Sequence, residues 1–399
     1  MKITKVEVFR LQADPAFAHN RPIGCRIFTD AGIVGHGEAG IAYRVGGSGA
    51  FGALCDLSRM IIGKDPMDIE MIWETFRKTT FWAMSPGALM YAAMSAIDIA
   101  LWDIKGKYFN VPVYMLLGGK FRTKLRAYAS QLQGGWGNIY EGKENIWCKT
   151  PEDYATNARI AVDEGYDALK YDFFDRDVDG KPLPFYATTG IIPNAEIDRI
   201  ERNIKAVRDE VGYGVDIIME NHSRTDALGA LQLAQLAEKY RMMAFEEPNP
   251  PTIATLEYIA QHTNVPLANG ERIFSRWGYA DYFKRNLIQL AQPDVANTGG
   301  ITETKKICDM AHAFDVGIQV HVAGSPLVTN VALQIEACIP NFIIHEHHVC
   351  NRMSNAIGLT IYNDQPVNGY FEIDDRVGIG NEWDPEAIAN KAVLYKVIE

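Results

Sequence analysis

The chain after residue 124 repeats one pattern eight times: a short apolar run ends in polar residues, and a helical segment follows. Several of these runs are almost continuously apolar, as parallel strands are when both of their faces are covered. Eight strands that alternate with helices favour a (β/α)8-type barrel over an open, doubly wound sheet. The apolar runs are residues 125–132, 167–173, 216–221, 242–248, 265–271, 287–295, 316–323 and 341–347.

The residues before the first run have a different pattern. Residues 3–10 and 24–30 alternate as strands do, and the glycines of 31–40 predict a hairpin and its exit. Residues 60–76 and 86–108 have the apolar spacing of helices. Strands followed by helices predict an α+β module in this part of the chain.

A chain of 399 residues exceeds the usual size of one globular domain. We therefore expect an α+β domain over 1–122, a barrel over 123–365 and a C-terminal segment, 366–399, that folds back on the first domain. The Gly- and Pro-rich segments 44–52 and 174–193 predict long loops.

The charge of the chain excludes one class of partner. Lys and Arg number 39 and Asp and Glu number 50, which gives a net charge of −11 and argues against a nucleic-acid partner. An apolar run of about 18 residues, as a membrane span needs, is absent from the sequence. The N-terminus lacks the apolar core of a signal peptide, so we expect a cytoplasmic protein. Six scattered cysteines predict free and mostly buried thiols.

Polar residues end the last six runs at a nearly constant spacing. Successive members are 26, 25, 23, 27 and 25 residues apart, about one βα repeat of a barrel. Because the carboxyl ends of barrel strands meet at one mouth, the spacing predicts a ring of side chains at one height. The members of the predicted ring are Glu220, Glu246, Glu271, Asp294, His321 and Glu346.

Three carboxylates on neighbouring strands suggest a metal site. Glu220, Glu246 and Glu271 would repel one another unless a cation lay between them. Oxygen ligands favour Mg²⁺ or Mn²⁺ over Zn²⁺. Helix caps or salt bridges would also explain any one of these acids, but they explain three at one period less well.

The ring also contains candidate acid–base groups. A carboxylate such as Asp294 beside His321 orients the imidazole and raises its basicity, as a general base requires. His222 follows Glu220 by two residues and could be a metal ligand, a general acid or a loop histidine. Lys170 could neutralise an oxyanion or act as a base.

Two further features admit a plainer explanation. The run from His345 to His348 lacks the HExxH spacing and follows a strand, so it does not predict a zinc site. Trp82 and Trp136 occur in loop contexts, where they could line a pocket, pack in the core or lie on the surface.

Several motifs together resemble the enolase superfamily, in its mandelate racemase-like branch, and within it the acid-sugar dehydratases such as galactonate and mannonate dehydratase. The resemblance covers essentially the whole chain. The motifs are GIVGHGEAG (32–40), SAIDIALWDIKGK (95–107), PVYMLLGGK (112–120), FEEP (245–248), GER (270–272), QPDVANTGGITE (292–303) and HVAG (321–324).

The resemblance implies a fold and a cofactor. An N-terminal α+β capping domain, completed by the C-terminal segment, would cover a (β/α)7β barrel. One Mg²⁺ per subunit, with Mn²⁺ as an alternative, would be bound by Glu220, Glu246 and Glu271. Cap loops near 15–25 and 44–52 would supply specificity.

The resemblance also implies roles for the remaining candidates. His321 and Asp294 match a catalytic dyad, and His222 matches a third-strand histidine that acts as general acid. The other expected roles are a catalytic contact for Lys170 and substrate contacts for Glu346, Asp172 and Trp82.

The resemblance implies a Mg²⁺-dependent dehydratase that removes the α-proton of a small acid sugar and eliminates its 3-hydroxyl, giving a 2-keto-3-deoxy acid. Homo-oligomers are common in the family. Lys170-Tyr171-Asp172 departs from the Lys-x-Lys of many racemases, which favours dehydration over two-base racemisation. The alternatives are a racemase or epimerase, a cycloisomerase, and a non-catalytic sugar-acid-binding regulatory protein. Either His222 or His321 could protonate the leaving group.

Overall fold

Two sheets organise the part of the chain that the structure describes. The structure is a computed structural model, and it describes residues 1–12, 21–41, 43, 45–136 and 147–399.

The first sheet has four antiparallel strands drawn from both ends of the chain. Its strands are β1 (Ile3–Leu11), β2 (Ile23–Thr29), β3 (Val34–Ala39) and the last strand, β13 (Ala392–Ile398), in the order β13-β1-β2-β3. The helices of this region are α1 (Gly47–Ile61), α2 (Ile69–Thr79), α3 (Ala88–Phe109) and α4 (Val113–Leu116).

Strand β3 packs directly on α3 because its glycines allow a close approach. A Cβ atom at Gly35 would lie 2.1 Å from the Ala100 carbonyl oxygen, and one at Gly37 would lie 1.9 Å from that of Ala96. The glycines predicted as hairpin residues therefore also permit the contact between sheet and helix.

The second sheet contains eight parallel strands in ring order β10-β9-β8-β7-β6-β5-β4-β11, and a parallel bridge between Ile318 and Phe342 closes it. The strands are β4 (Lys124–Ser130), β5 (Ala168–Asp172), β6 (Asp216–Glu220), β7 (Ala244–Glu246), β8 (Leu267–Asn269), β9 (Leu290–Ala291), β10 (Gly317–Ile318) and β11 (His345–His348). All eight lie within the predicted apolar runs or extend one residue beyond them, so the predicted barrel is confirmed.

Each of the first seven barrel strands is followed by a helix, which gives the (β/α)7β arrangement. The helices are α5 (Pro151–Asp163), α6 (Asn194–Val211), α7 (Ala227–Lys239), α8 (Ile253–Gln261), α9 (Ser275–Lys284), α10 (Gly300–His312) and α11 (Pro326–Cys338). Capping residues mark the N-termini of several of these helices. Thr150 and Asp153 form a capping box at α5, and Ser325 caps α11, where Pro326 occupies the first turn.

The C-terminal segment touches both sheets. After α12 (Ser354–Ile357), β12 (Tyr370–Glu372) pairs with β4 of the barrel, and after α13 (Pro385–Lys391), β13 pairs with β1. The residue boundaries predicted for the three regions, 122/123 and 365/366, stay predictions.

The predicted helix over 60–76 is wrong. Two helices, α1 and α2, occupy this region, and residues 62–68 separate them. Gly63 has a φ of 76°, and Pro66 lacks the backbone N–H that a continuing helix needs.

The predicted loop over 44–52 is also partly wrong, because α1 begins at Gly47. The predicted helix over 86–108 begins two residues later, at Ala88. The long loop predicted over 174–193 contains one short 3-10 turn and an isolated antiparallel bridge between Arg176 and Pro182, and α6 starts directly after it.

All six cysteines are free, and five of them are buried, as predicted. Among the described residues, none of the helices is both long and apolar enough to cross a membrane.

Candidate active site

An apolar layer fills the inside of the barrel beneath a layer of polar side chains. Side chains alternate between the two faces of a strand, so residues two apart share the inner face. Ile218 lies below Glu220 on β6, Ala244 below Glu246 on β7, and Ile344 packs with the two of them in this layer. The polar layer above it contains most of the predicted site residues.

Lys170 lies at the centre of three of the predicted carboxylates. Its Nζ atom is 2.7 Å from Glu246 Oε1, 2.8 Å from Glu346 Oε1 and 3.3 Å from Glu220 Oε2. All four side chains are buried. Burial alone would lower the pKa of Lys170, but Glu246 and Glu346 raise it well above its usual value. The lysine is therefore held as an ammonium ion.

Glu220 and Glu246 face each other across adjacent strands, because they are paired in the register of β6 and β7. Burial and the charge of Glu220 raise the pKa of Glu246 well above its ordinary value. The Oε2 atoms of both residues are buried and accept no hydrogen bond, although Lys170 Nζ lies 3.3 Å from that of Glu220. Buried carboxylate oxygens without hydrogen-bond donors favour a cation between them.

His321 lies between two acids on the opposite side. Its Nδ1 is 2.7 Å from Asp294 Oδ2, and its Nε2 is 3.1 Å from Glu271 Oε2. Burial lowers the pKa of His321, but Glu271 and Asp294 outweigh it and raise that pKa well above 6.5. Asp294 also accepts from the backbone N–H of Ala296, 2.8 Å away, so the carboxylate is itself fixed.

His222 is also held by an aspartate, Asp172. Its Nδ1 is 2.8 Å from Asp172 Oδ2, and Arg224 donates to the same oxygen. The backbone N–H of Phe174 donates to the other oxygen at 3.0 Å. Burial lowers the pKa of His222, but Glu220 and Asp172 raise it above its usual value. Both Asp172 oxygens thus have partners in the chain, and its predicted substrate contact stays a prediction.

The backbone at the mouth adopts an uncommon conformation. His222 has a φ of 48° and Glu247 a φ of 45°, in the left-handed region that side chains other than glycine rarely adopt. Such conformations persist where surrounding contacts impose them, and they concentrate at functional sites. Here the backbone N–H of His222 donates to Glu220 Oε1 at 2.7 Å, which helps to hold the turn.

The three predicted metal ligands lie at the ends of adjacent strands, but Glu271 has different partners from Glu220 and Glu246. Glu271 is engaged by His321 and by Arg272, whose guanidinium lies 2.6 Å from Glu271 Oε1. Among the described residues, no three His, Cys, Asp or Glu side chains are arranged to hold a metal ion. The donor set is nevertheless all oxygen, and two buried oxygens of Glu220 and Glu246 accept no hydrogen bond. The residues therefore fit a hard divalent cation.

The contacts of Trp82 lie away from the other predicted site residues. Trp82 lies in a short 3-10 turn between α2 and α3, is 73% exposed and packs edge-to-face on Phe81. Its substrate contact stays a prediction. Of the predicted specificity loops, residues 15–20 and 44 lie outside the described residues.

The outward-facing histidines of β11 explain why the run from His345 to His348 is not a metal motif. His345 Nδ1 lies 2.5 Å from Glu336 Oε2 in α11, and His347 Nδ1 lies 2.5 Å from the Tyr166 hydroxyl. Both histidines are buried on the outer side of the barrel.

Three residues near the site were missed from the sequence: Arg224, Arg272 and His348. Arg224 holds Asp172, and Arg272 contacts Glu247 and Glu271. Because side chains alternate along a strand, His348 is expected on the same inner face as Glu346, two residues before it. The two arginines follow strand ends in turns whose geometry has no such period.

Comparison with known proteins gives the family context. Residues 17–118 match the model of the mandelate racemase / muconate lactonizing enzyme N-terminal domain, and residues 153–387 match the enolase C-terminal domain-like model. A solved structure described as a member of the enolase superfamily, from Salmonella Typhimurium, is 43% identical. It superposes with a TM-score of 0.95 and covers 100% of both chains.

Two curated relatives are named as acid-sugar dehydratases. D-galactonate dehydratase from Pectobacterium atrosepticum is 30% identical over 98% of this chain and 94% of its own length. D-gluconate dehydratase from Thermoproteus tenax is 32% identical over 85% of this chain. The match spans 63% of the T. tenax protein, less than two thirds of its length. Dehydratases of the enolase superfamily typically use a divalent metal.

Proposed function

Because the chain belongs to the mandelate racemase/muconate lactonizing enzyme family of the enolase superfamily, we propose that it dehydrates an aldonic or aldaric acid to a 2-keto-3-deoxy acid. One observation carries the proposal: two histidines, His321 and His222, each held by an aspartate, follow the ends of the seventh and third strands of an eight-stranded ring. These strands are opposite each other in the barrel. Dehydration needs one group to remove a proton and another to protonate the leaving hydroxyl.

His321 is the proposed base. Asp294 accepts from its Nδ1–H, which leaves Nε2 free of a proton in the neutral ring. Nε2 would take the α-proton of the substrate, and the electrons of the broken C–H bond would move toward the substrate carboxylate. Glu271 contacts Nε2 in this structure and is the main cause of the raised pKa of His321. It would have to release Nε2, which lowers that pKa, before the neutral ring can act as the base.

Lys170 is the proposed electrostatic partner of the charge that develops at the substrate carboxylate. Its raised pKa rules out a base role at neutral pH, because the ammonium ion is stabilised by three carboxylates. Glu346 is held by Lys170 and by the Ser130 hydroxyl, 2.7 Å away. The backbone N–H of Val322 donates to its other oxygen at 3.0 Å. The proposed role of Glu346 is to accept a further hydrogen bond from a substrate hydroxyl.

His222 is the proposed general acid. Its Nδ1–H is donated to Asp172, and its raised pKa keeps a second proton on the ring at neutral pH. That proton would pass from Nε2 to the departing 3-hydroxyl, which leaves as water. The enol product then tautomerises to the keto acid.

Glu220, Glu246 and Glu271 are the proposed ligands of one Mg²⁺ ion. When bound, the cation supplies a Lewis acid that withdraws charge from the substrate carboxylate. The net charge of −11 disfavours approach of an anionic substrate, so the local cations must supply the attraction.

Product analysis tests the proposal. The purified protein with Mg²⁺ is incubated with a panel of aldonic and aldaric acids, and 2-keto acid formation is followed together with ¹H NMR in D₂O. We expect loss of the 3-hydroxyl and a keto product. Exchange at the α-carbon without loss of the hydroxyl would indicate a racemase or epimerase, and isomerisation without loss of water a cycloisomerase. Binding without turnover would indicate a sugar-acid-binding regulatory protein.

The two histidines are separated by a second measurement. His222→Asn should still exchange the α-proton in D₂O while it loses dehydration, because His321 remains. His321→Asn should lose both. Equal loss of exchange in the two variants would contradict the assignment of base and acid.

A homo-oligomer also stays a prediction, and light scattering coupled to size-exclusion chromatography tests it.

A further inference from the structure

His348 faces the same space as the proposed catalytic groups. In the register of β11 and β4, Glu346 is paired with Tyr128 and His348 with Ser130. Tyr128 belongs to the apolar layer inside the barrel, so Glu346 and His348 share the inner face. Because β11 runs toward the mouth, His348 lies one step above Glu346, and its side chain is half-buried there.

The hydrogen bond at Nδ1 fixes the tautomer of His348. The backbone N–H of Cys350 donates to Nδ1 over 3.1 Å, and this bond caps the 3-10 turn Val349–Arg352. An Nδ1 atom that accepts a hydrogen bond carries no proton, so the hydrogen of the neutral ring is on Nε2. Within the described part of the chain, Nε2 has no hydrogen-bond partner.

The charged groups that act on His348 are those of the proposed site. They are Glu346, Lys170, His321 and His222. Burial lowers the pKa of His348 to about 4, which keeps the ring neutral. A neutral imidazole at the mouth with a free N–H is a hydrogen-bond donor for an uncharged oxygen.

We propose that His348 is a specificity-determining residue that donates a hydrogen bond from Nε2 to a chain hydroxyl of the acid sugar, at C4 or beyond. The contact rests on the proposed function. Carbons 1 to 3 are assigned to Lys170, His321 and His222, which lie on the same inner face. The next hydroxyls along the chain are those left for a donor placed nearer the mouth.

Two variants distinguish the proposed donor, the Nε2–H group of His348, from the cap formed by its Nδ1 atom. In His348→Asn, the side-chain oxygen can replace Nδ1 as the acceptor from Cys350, but the donor at the position of Nε2 is lost. In His348→Gln, the amide nitrogen reaches the position of Nε2, and the cap is lost. ¹⁵N NMR of the wild-type histidines gives a readout that does not depend on activity, and we expect His348 as the Nε2–H tautomer.

The probes are D-gluconate, D-galactonate and D-xylonate, with the 4-deoxy and 5-deoxy derivatives of whichever acid the wild type converts fastest. We expect His348→Asn to lower kcat/KM for the parent acid about three- to tenfold, the range of one neutral hydrogen bond. The loss should disappear for the one derivative that lacks the partner hydroxyl. His348→Gln should retain more of the parent activity than His348→Asn.

Each contrary outcome has one meaning. An equal loss on all derivatives, a greater loss in His348→Gln, or an Nδ1–H tautomer would overturn the contact while wild-type turnover upholds the proposed function. If the wild type neither converts nor, by calorimetry, binds any of the probes, the proposed function fails and the contact fails with it.

Discussion

Two groups of buried acids in this molecule have different neighbours. At the mouth of the barrel, Glu246 and Glu346 contact the Lys170 ammonium ion. At the seam between the first sheet and the barrel, Glu38 accepts from the backbone N–H of Ser325, 3.0 Å away, and from its hydroxyl. Asp98, on α3, accepts from the backbone N–H of Thr302 at 3.0 Å. The seam acids therefore have neutral donors where the mouth acids have cations.

The difference decides what each group can do. Burial raises the pKa values of Glu38 and Asp98 to about 7, so near neutral pH these acids carry a proton much of the time and join two parts of the fold. Glu346 stays ionised, because Lys170 and His321 outweigh the effect of burial and lower its pKa. Glu246 contacts the same lysine, but burial and the charge of Glu220 still raise its pKa. A cation therefore keeps a buried acid charged where no second acid lies beside it, and neutral donors leave the seam acids to a structural role.

Among the substitutions at the mouth of the barrel, removal of the proposed base should lower kcat the most. We expect His321→Asn to lower kcat about 10²- to 10⁴-fold, the usual contribution of a general base. Circular dichroism and thermal unfolding should remain close to those of the wild type, because the backbone of the strand is unchanged. Wild-type turnover in this variant would remove His321 from the mechanism.

Loss of the aspartate that holds the proposed acid should have a smaller effect. Asp172→Asn keeps the size of the side chain but weakens the bonds to His222 and Arg224. We expect kcat to fall about 10- to 100-fold, part of the general-acid contribution, with little change in KM. A large rise in KM with kcat unchanged would instead support the predicted substrate contact of Asp172.

A seam substitution should change stability rather than catalysis. Folded Glu38 keeps its proton up to about pH 7, whereas an unfolded glutamate loses it near pH 4.5. Between these values the folded state binds more protons, so the free energy of unfolding falls as the pH rises. Glu38→Gln removes this dependence, and from pH 5 to pH 8 the wild type should lose of order 1–3 kcal/mol relative to the variant.

Urea unfolding at several pH values measures the effect of Glu38→Gln. Turnover of the variant at a pH where it is fully folded serves as the control and should match that of the wild type within about threefold. Parallel stability curves for the two proteins would show that Glu38 does not titrate in this range, and the contrast with the mouth would be lost.

The smallest effect is expected at Trp82. Because the ring is exposed, Trp82→Ala should leave the free energy of unfolding within about 0.5 kcal/mol of the wild-type value. If Trp82 contacts substrate as predicted, KM should rise a few-fold with kcat unchanged. An unchanged KM would contradict that contact.

Sequence spacing was informative where the fold is periodic. One βα repeat separates Glu246 from Glu271, and alternation along a strand separates Ile344 from Glu346, so the barrel and its polar layer could be predicted. The break between α1 and α2 was missed because helical spacing continues across Gly63 and Pro66. The apolar pattern there outweighed two residues that interrupt a helix.

Contacts between turns could not be predicted. Asp172 is paired with His222 because the backbone after β6 enters the left-handed region at His222 and turns its ring toward β5. Nothing in the spacing of Asp172 and His222 indicates that turn. The same holds for Cys350, whose backbone N–H fixes the tautomer of His348 through a turn just beyond β11.

Strand β13 has a consequence for synthesis on the ribosome. Its partner β1 is made before every barrel strand, yet Val6 pairs with Ile398, which follows all of them in the chain. The sheet at the N-terminal end therefore stays incomplete while the barrel strands are being translated, and β1 waits with one edge unpaired. Contacts of such long sequence separation slow folding and expose a strand edge to association with other nascent chains.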